Sequence, residues 1–239
     1  MNPILLFALV VFTWGTGPIA VSILVVVADP EPLVGYRFAI AAAVLLLWCR
    51  ARSLRLRFSV RQHGFLVLQG VLLCSLNEML WWGAVTRVEV SGLVPLALTL
   101  MTVMNAGLGT LFLGLPFRRR VLGGAVMGIA GIAMVFWREL SAFDASSAGL
   151  VGLIFALTGA VLASFGSIAA ARNQRAGIPV LQGTAISMAY GTVSTLLVAL
   201  ALGRDFGLTW TPAFAGAFAW ATFATTVFGV TGYIVLIGR

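Results

Sequence analysis

Along the chain, long apolar stretches alternate with short polar breaks. The stretches run Ile4 to Val27, Pro32 to Trp48, Gly64 to Gly83, Ser91 to Leu113, Val121 to Phe136, Gly149 to Ala170, Ile178 to Leu202 and Ala213 to Ile237. A helix rises about 1.5 Å per residue, so roughly 20 apolar residues cross a hydrocarbon core about 30 Å thick. Each stretch is near that length, and the pattern predicts an all-α integral membrane protein with about eight transmembrane helices. A membrane β-barrel would instead alternate in polarity over segments of about 10 residues; Val121 to Phe136 is apolar on every side. The breaks hold the chemistry that stops helices. In Asp29-Pro30-Glu31-Pro32 each proline removes a backbone donor and disfavours helix in the residue before it.

Composition sharpens this picture. The chain is 61% hydrophobic and 9% charged over 239 residues, against about 25% charged in an ordinary soluble domain. Its net charge of +8 would fit a nucleic-acid partner if the basic residues formed a stripe. All of them are arginine, however, and they cluster in the breaks: Arg50, Arg52, Arg55, Arg57 and Arg61 after the second stretch, Arg118, Arg119 and Arg120 after the fourth, Arg172 and Arg175 after the sixth, and Arg239 at the end. The opposite breaks hold only Arg87, Arg138 and Arg204, beside Asp29, Glu31, Glu89, Glu139, Asp144 and Asp205. Cytoplasmic loops collect positive charge, so the expectation is an inner-membrane protein with both termini cytoplasmic. Its partners would be the lipid bilayer, whose anionic headgroups the arginines meet, and no nucleic acid.

The two halves of the chain resemble each other in order. Trp14-Gly15-Thr16 precedes a break and then Pro32; Phe165-Gly166-Ser167 precedes a break and then Pro179. The next span ends in Trp81-Trp82-Gly83-Ala84-Val85-Thr86-Arg87 in one half and in Tyr233 to Arg239 in the other. A five-helix unit has an odd number of crossings, so its second copy enters from the opposite side, as in inverted-repeat transporters. On this register residues 1–140 form one five-helix repeat and 149–239 a second with three helices, a 5+5 architecture truncated to 5+3.

The string Trp14-Gly15-Thr16-Gly17, the opening Pro32 to Arg37, the segment Arg87 to Val94, and Gly124-Ala125-Val126-Met127-Gly128-Ile129-Ala130-Gly131 followed by Phe136 to Leu140 together resemble the EamA family of the drug/metabolite transporter superfamily. The resemblance implies a ten-helix pair of inverted repeats that moves small metabolites across the bacterial cytoplasmic membrane, and hence a small-molecule substrate.

Enzyme chemistry has few parts to work with. No Gly-x-Ser-x-Gly elbow, His-Glu-x-x-His or phosphate-binding loop is present, and His63, the single histidine, reads as a solvated loop residue. Cys49 and Cys74 supply neither a zinc spacing nor a disulfide framework. No cofactor or metal is expected, and any energy coupling comes from a gradient or from exchange. An intramembrane enzyme would need ionisable groups clustered at one interface, whereas Arg37 and Glu78 are the only charges within spans. They lie at nearly the same depth on the outer side, and charges at depth pair with one another or face a wet cavity. Other candidates for a substrate pathway are the deep aromatics Trp14, Tyr36, Trp81 and Tyr190, together with Asn77, Asn105 and Gln182, whose burial demands partners. Gly124, Gly128 and Gly131 form a small-residue stripe that would let two helices approach closely. Two readings stand beside a permease, a truncated membrane fragment or assembly component that transports nothing by itself and an intramembrane enzyme acting on lipid, and a homo-oligomer is among the expected partners.

Overall fold

The computed structural model describes residues 2–86, 93–116, 119–135, 137, 141 and 147–238. They form eight helices: α1 Pro3–Leu24, α2 Pro30–Ala51, α3 Val60–Val85, α4 Leu93–Leu113, α5 Arg119–Val135, α6 Ser147–Arg175, α7 Val180–Ala201 and α8 Pro212–Ile237. There is no strand among the described residues. Among the described residues, α1, α2, α3, α6, α7 and α8 each carry a stretch long and apolar enough to cross a membrane. Arg87, Glu89, Arg118, Arg138, Glu139, Asp144 and Arg239 lie outside the described residues, as do Ser91 and Phe136.

Most helices run past the apolar stretches that announced them. Helix α2 starts at Pro30, not Pro32, because extended Asp29 (ψ 137°) leads into a proline at the first helical position with Glu31 in the first turn, both favourable at an N-terminus. Helix α6 continues through Arg172 and Arg175, whose long side chains reach polar surroundings while their charge suits a C-terminus. Helix α3 opens at Val60 under a reciprocal Ser59–Gln62 capping box. His63 is therefore a first-turn helical residue, bonded through Nδ1 to the Tyr190 hydroxyl at 3.0 Å, and not a loop residue.

Helices α2 and α7 form the spine. They pack closely along their length, and they run antiparallel: Arg204, just beyond α7, pairs with Glu31 at the start of α2. The ten buried positions of α2, from Pro32 to Cys49, recur in α7 from Gln182 to Ala199 at a constant spacing of 150 residues. The chain then leaves both helices the same way. Ser53 (φ 51°) and Gly203 (φ 64°) adopt the left-handed conformation. The amides of Ser53 and Leu54 bond the carbonyls of Arg50 and Cys49, as those of Gly203 and Arg204 bond Leu200 and Ala199. This spacing places Pro32 opposite Gln182, which corrects the match of Pro32 with Pro179; Pro179 stands instead for Asp29. Around the spine, α1 packs on α8 and α6 packs on α3, so the first helix of each half covers the third helix of the other.

Both third helices are interrupted by π-helical turns, Gly70–Leu76 in α3 and Trp220–Val230 in α8. Such turns widen a helix, shift its carbonyls and concentrate at functional sites. The first is where backbones touch: a Cβ on Gly70 would stand 2.1 Å from the Ser187 carbonyl oxygen. The small-residue stripe of α5 behaves otherwise. A Cβ on Gly124 or Gly131 would meet no atom within 4 Å, so at these two positions the expected close approach of another helix is not seen among the described residues.

Candidate functional site

Between α1, α3, α6 and α8, with α2 and α4 closing its sides, lies a cavity of ≈ 170 Å³. Its walls include Trp14, Arg37, Asn77, Glu78, Trp81 and Trp82, together with Met101, Thr225, Thr226 and Tyr233. Five of the nine pathway candidates thus converge: Trp14, Arg37, Asn77, Glu78 and Trp81. Asn105 joins indirectly, its Nδ2 donating to the Tyr233 hydroxyl at 3.2 Å. The other three do not line the cavity. Tyr36 donates its hydroxyl to the Phe206 carbonyl at 2.9 Å, near the loop after α7; Tyr190 is held by His63; and Gln182 is buried in the spine.

The charged wall is built by α2 and α3. The Arg37 Nη2 donates to Glu78 Oε2 in an ion pair whose side chains are 6% and 22% exposed. The guanidinium also stands 5.0 Å from the ring centroids of Phe38 and Trp82, and cation–π attraction strengthens where water is excluded. Arginine is the cation for this place, since its planar head both forks to a carboxylate and stacks. Arg37 is therefore held from three sides, and Glu78 is the more accessible partner. Next to it, Asn77 donates Nδ2 to the Leu73 carbonyl at 3.3 Å, within the π-helical turn. Its Oδ1, like the Arg37 Nε, is buried with no hydrogen-bond partner among the described residues.

The opposite wall comes from α8. The indole of Trp14 donates to the Thr225 carbonyl at 3.0 Å, inside the second π-helical turn. It also stacks at a tilt on Tyr233, centroids 5.0 Å apart. A Cβ on Gly229 would lie 2.5 Å from the Trp14 Nε1, so the indole depends on a glycine to lie flat against α8. The Tyr233 hydroxyl is shared with Ser167 Oγ at 2.9 Å and with Asn105. This ties α8, α6 and α4 at one point. Tyr233, Thr225 and Ser167 escaped the sequence reading: a lone tyrosine near the end of a span looks like an interfacial anchor. Only the 150-residue spacing, which puts Tyr233 opposite Gly83 just beyond Trp82, could have flagged it.

Beyond the ends of α1, α3 and α7 lies a wider cleft of ≈ 460 Å³, lined by Asp29, Glu31, Arg204 and Asp205. Here Asp29 Oδ2 accepts from the Asp205 amide at 3.0 Å, and Arg204 Nη2 donates to Glu31 Oε1 at 2.9 Å. Two polar ties therefore join the two halves at this end.

A multi-pass helical bundle with an aromatic, charge-paired cavity between two oppositely directed halves defines a membrane protein of the drug/metabolite transporter type of fold. The EamA-like transporter family matches residues 1–137, more than half of the chain, and the protein belongs to that family. A protein of Haemophilus influenzae described as an uncharacterized transporter is 27% identical over 170 residues, covering 67% of this chain and 54% of the relative. The chain thus spans about half the length of that relative. A protein of known crystal structure superposes with a TM-score of 0.74 at 20% identity, over 99% of this chain and 78% of that one. At such identity the likeness speaks for the fold.

Proposed function

We propose that the protein is a permease that moves a small metabolite across the bacterial cytoplasmic membrane, driven by a gradient or by exchange. The cavity between Arg37–Glu78 and Tyr233 is the substrate site. The observation that supports this best is an ion pair set into the wall of an aromatic cavity inside an apolar bundle. Charge at that depth is costly and is kept where a pathway needs it. The arginine bias puts both termini in the cytoplasm, with the Asp29–Asp205 end outside, and the units 1–140 and 149–239 as inverted repeats. Rocking one unit against the other would open the cavity first to one face and then to the other.

A second reading is favoured by the open surface beside Gly124 and Gly131 of α5: a second copy of the chain packs on that face. Purified protein in proteoliposomes, assayed for uptake and efflux of a metabolite panel beside protein-free vesicles, tests the first reading. Sizing the same preparation by light scattering tests the second. Absence of flux for every solute would count against a permease.

A further inference from the structure

Taking the cavity as a transport path, as in the proposal above, its two ends are closed by different chemistry. On α3 the cavity wall reaches from Val85 to Leu73. One turn beyond Leu73, Gln69 meets Asn173 near the end of α6. The Asn173 Nδ2 donates to Gln69 Oε1 at 2.9 Å and to the Phe65 carbonyl at 3.2 Å, and both residues are 2% exposed. Beside them the Arg172 guanidinium lies 3.3 Å from the Phe65 ring centroid. These contacts cross from one half of the chain to the other. Within the second half, Gln174 Nε2 donates to the Ile234 carbonyl at 2.8 Å, which joins α6 to α8 just past Tyr233. Asn173 thus fastens that pair of helices to α3 directly beyond the cavity. At the opposite end Val85 lines the cavity while its neighbours Gly83 and Thr86 line the wider cleft.

The inverted symmetry supplies a comparison within the molecule. The 150-residue spacing of the spine extends to α1 and α6: buried Leu6, Val10, Thr13, Gly17 and Ala20 correspond to buried Ala156, Ala160, Ala163, Ser167 and Ala170. Arg172 and Asn173 then correspond to Ser22 and Ile23, at the Asp29 end. Ser22 bonds the Ile19 carbonyl of its own helix, and the Ile23 side chain has no polar atom to offer. The part of α8 that α1 meets there, Pro212–Ala219, reads Pro-Ala-Phe-Ala-Gly-Ala-Phe-Ala, without one hydrogen-bonding side chain. Bonds that do cross from α1 to α8, Trp14 with Thr225 and Trp220 with Thr16, lie nearer the middle. Glu31–Arg204 and Asp29–Asp205 join the ends of the spine, not α1 and α8. The gating contact is therefore hydrogen-bonded at one end and apolar at the other. Parting the first strands buried amide groups until water reaches them, which is costly; parting the second strands none.

We propose that Asn173, held on Gln69 and the Phe65 carbonyl, is the gate that closes the cavity at the Arg172 end, and that the Asp29 end opens more readily. The test is the distance between two spin labels on the full chain in lipid nanodiscs, with Cys49 and Cys74 replaced by alanine. Labels on Arg61→Cys and Ala176→Cys span α3 and α6 at the Arg172 end; labels on Val26→Cys and Ala213→Cys span α1 and α8 at the other, all four positions being exposed. The parent should hold one short distance at the Arg172 end and a broader or double distribution at the Asp29 end. Asn173→Ala should raise the open-to-closed ratio at the Arg172 end about tenfold, the worth of one hydrogen bond. Gln69→Leu, which keeps the bulk and removes the acceptor, should act in the same direction. The exchange Gln69→Asn with Asn173→Gln keeps an amide on each side and should restore the parent distribution. Thr192→Ala, which removes a buried hydroxyl bonded within α7, should lower stability without moving either distance. If neither gate variant folds, the parent's two distributions decide. The inference is overturned if folded variants at positions 69 and 173 leave the distances unchanged, or if the parent opens more widely at the Arg172 end than at the Asp29 end. Flux is a separate readout. Shifted distances without flux of any solute would overturn the permease reading and leave the gate standing; flux with unmoved distances in the variants would do the reverse.

Discussion

Arg37 and Glu78, 41 residues apart in sequence, meet as an ion pair across the α2–α3 contact, with the arginine wedged between Phe38 and Trp82. Their coupling has a thermodynamic signature. Removing one partner of a buried pair leaves an uncompensated charge and costs about 3–5 kcal/mol, whereas removing both is close to neutral. Arg37→Gln and Glu78→Gln should therefore each lower the thermal midpoint in detergent by more than the double variant does. Additive losses in the three variants would show that the two side chains act independently.

The Tyr233 hydroxyl joins Ser167 and Asn105, and neutral hydrogen bonds contribute about 0.5–1.5 kcal/mol each. Tyr233→Phe should destabilise the protein by about 1–3 kcal/mol, readable as a shift in a denaturation midpoint. Ser167→Ala in the Tyr233→Phe background should then cost little more. A full additional loss would mean that Ser167 acts elsewhere.

Glycines should divide by what surrounds them. Gly70→Ala drives a Cβ into the Ser187 carbonyl, and overpacking typically costs about 1–3 kcal/mol, more against backbone that cannot give way. Gly124→Ala meets open space and should be neutral or stabilising by about 0.5–1 kcal/mol, the propensity difference between the two residues in a helix. Equal effects at the two positions, measured by thermal denaturation in the same detergent, would contradict the contact assigned at the α3–α7 crossing.

How far the sequence discloses this molecule depends on which physical signal each feature leaves. Apolar runs of bilayer length follow directly from the hydrocarbon thickness, so the eight helices are legible and only their ends shift, where prolines, caps and arginines extend them. Charge at depth is expensive enough that Arg37 and Glu78 stand out and their partnership can be inferred from matching depth. Lateral position leaves no such trace. Nothing in the sequence separates Tyr36, Tyr190 and Gln182 from Asn77, and only the folded contacts show that Tyr36 reaches the Phe206 carbonyl, Tyr190 meets His63 and Gln182 is buried on α7. The π-helical turns are equally hidden, since Gly70–Leu76 and Trp220–Val230 share no sequence motif. Inverted symmetry was visible in outline, but the 150-residue register emerged from burial, because the aligned residues themselves differ.

The proposed topology rests on the arginine distribution. A reporter that matures only outside the cytoplasm, fused after Arg239, should stay dark, and one inserted in the segment 138–148 should be active. Reversed signals would invert the orientation and with it the assignment of the Asp29–Asp205 cleft to the outer face.

The permease reading requires that the cavity open to each side in turn. Ala163 lines it on α6 and is 2% exposed, while Cys49 and Cys74 are buried and can be replaced by alanine. In that background, an Ala163→Cys protein can be treated with a membrane-impermeant thiol reagent in right-side-out and in inside-out vesicles. Alternating access predicts slow labelling from both sides, each slowed further by a bound substrate. Labelling from neither side, or from one side only under every condition, would contradict a transport cavity.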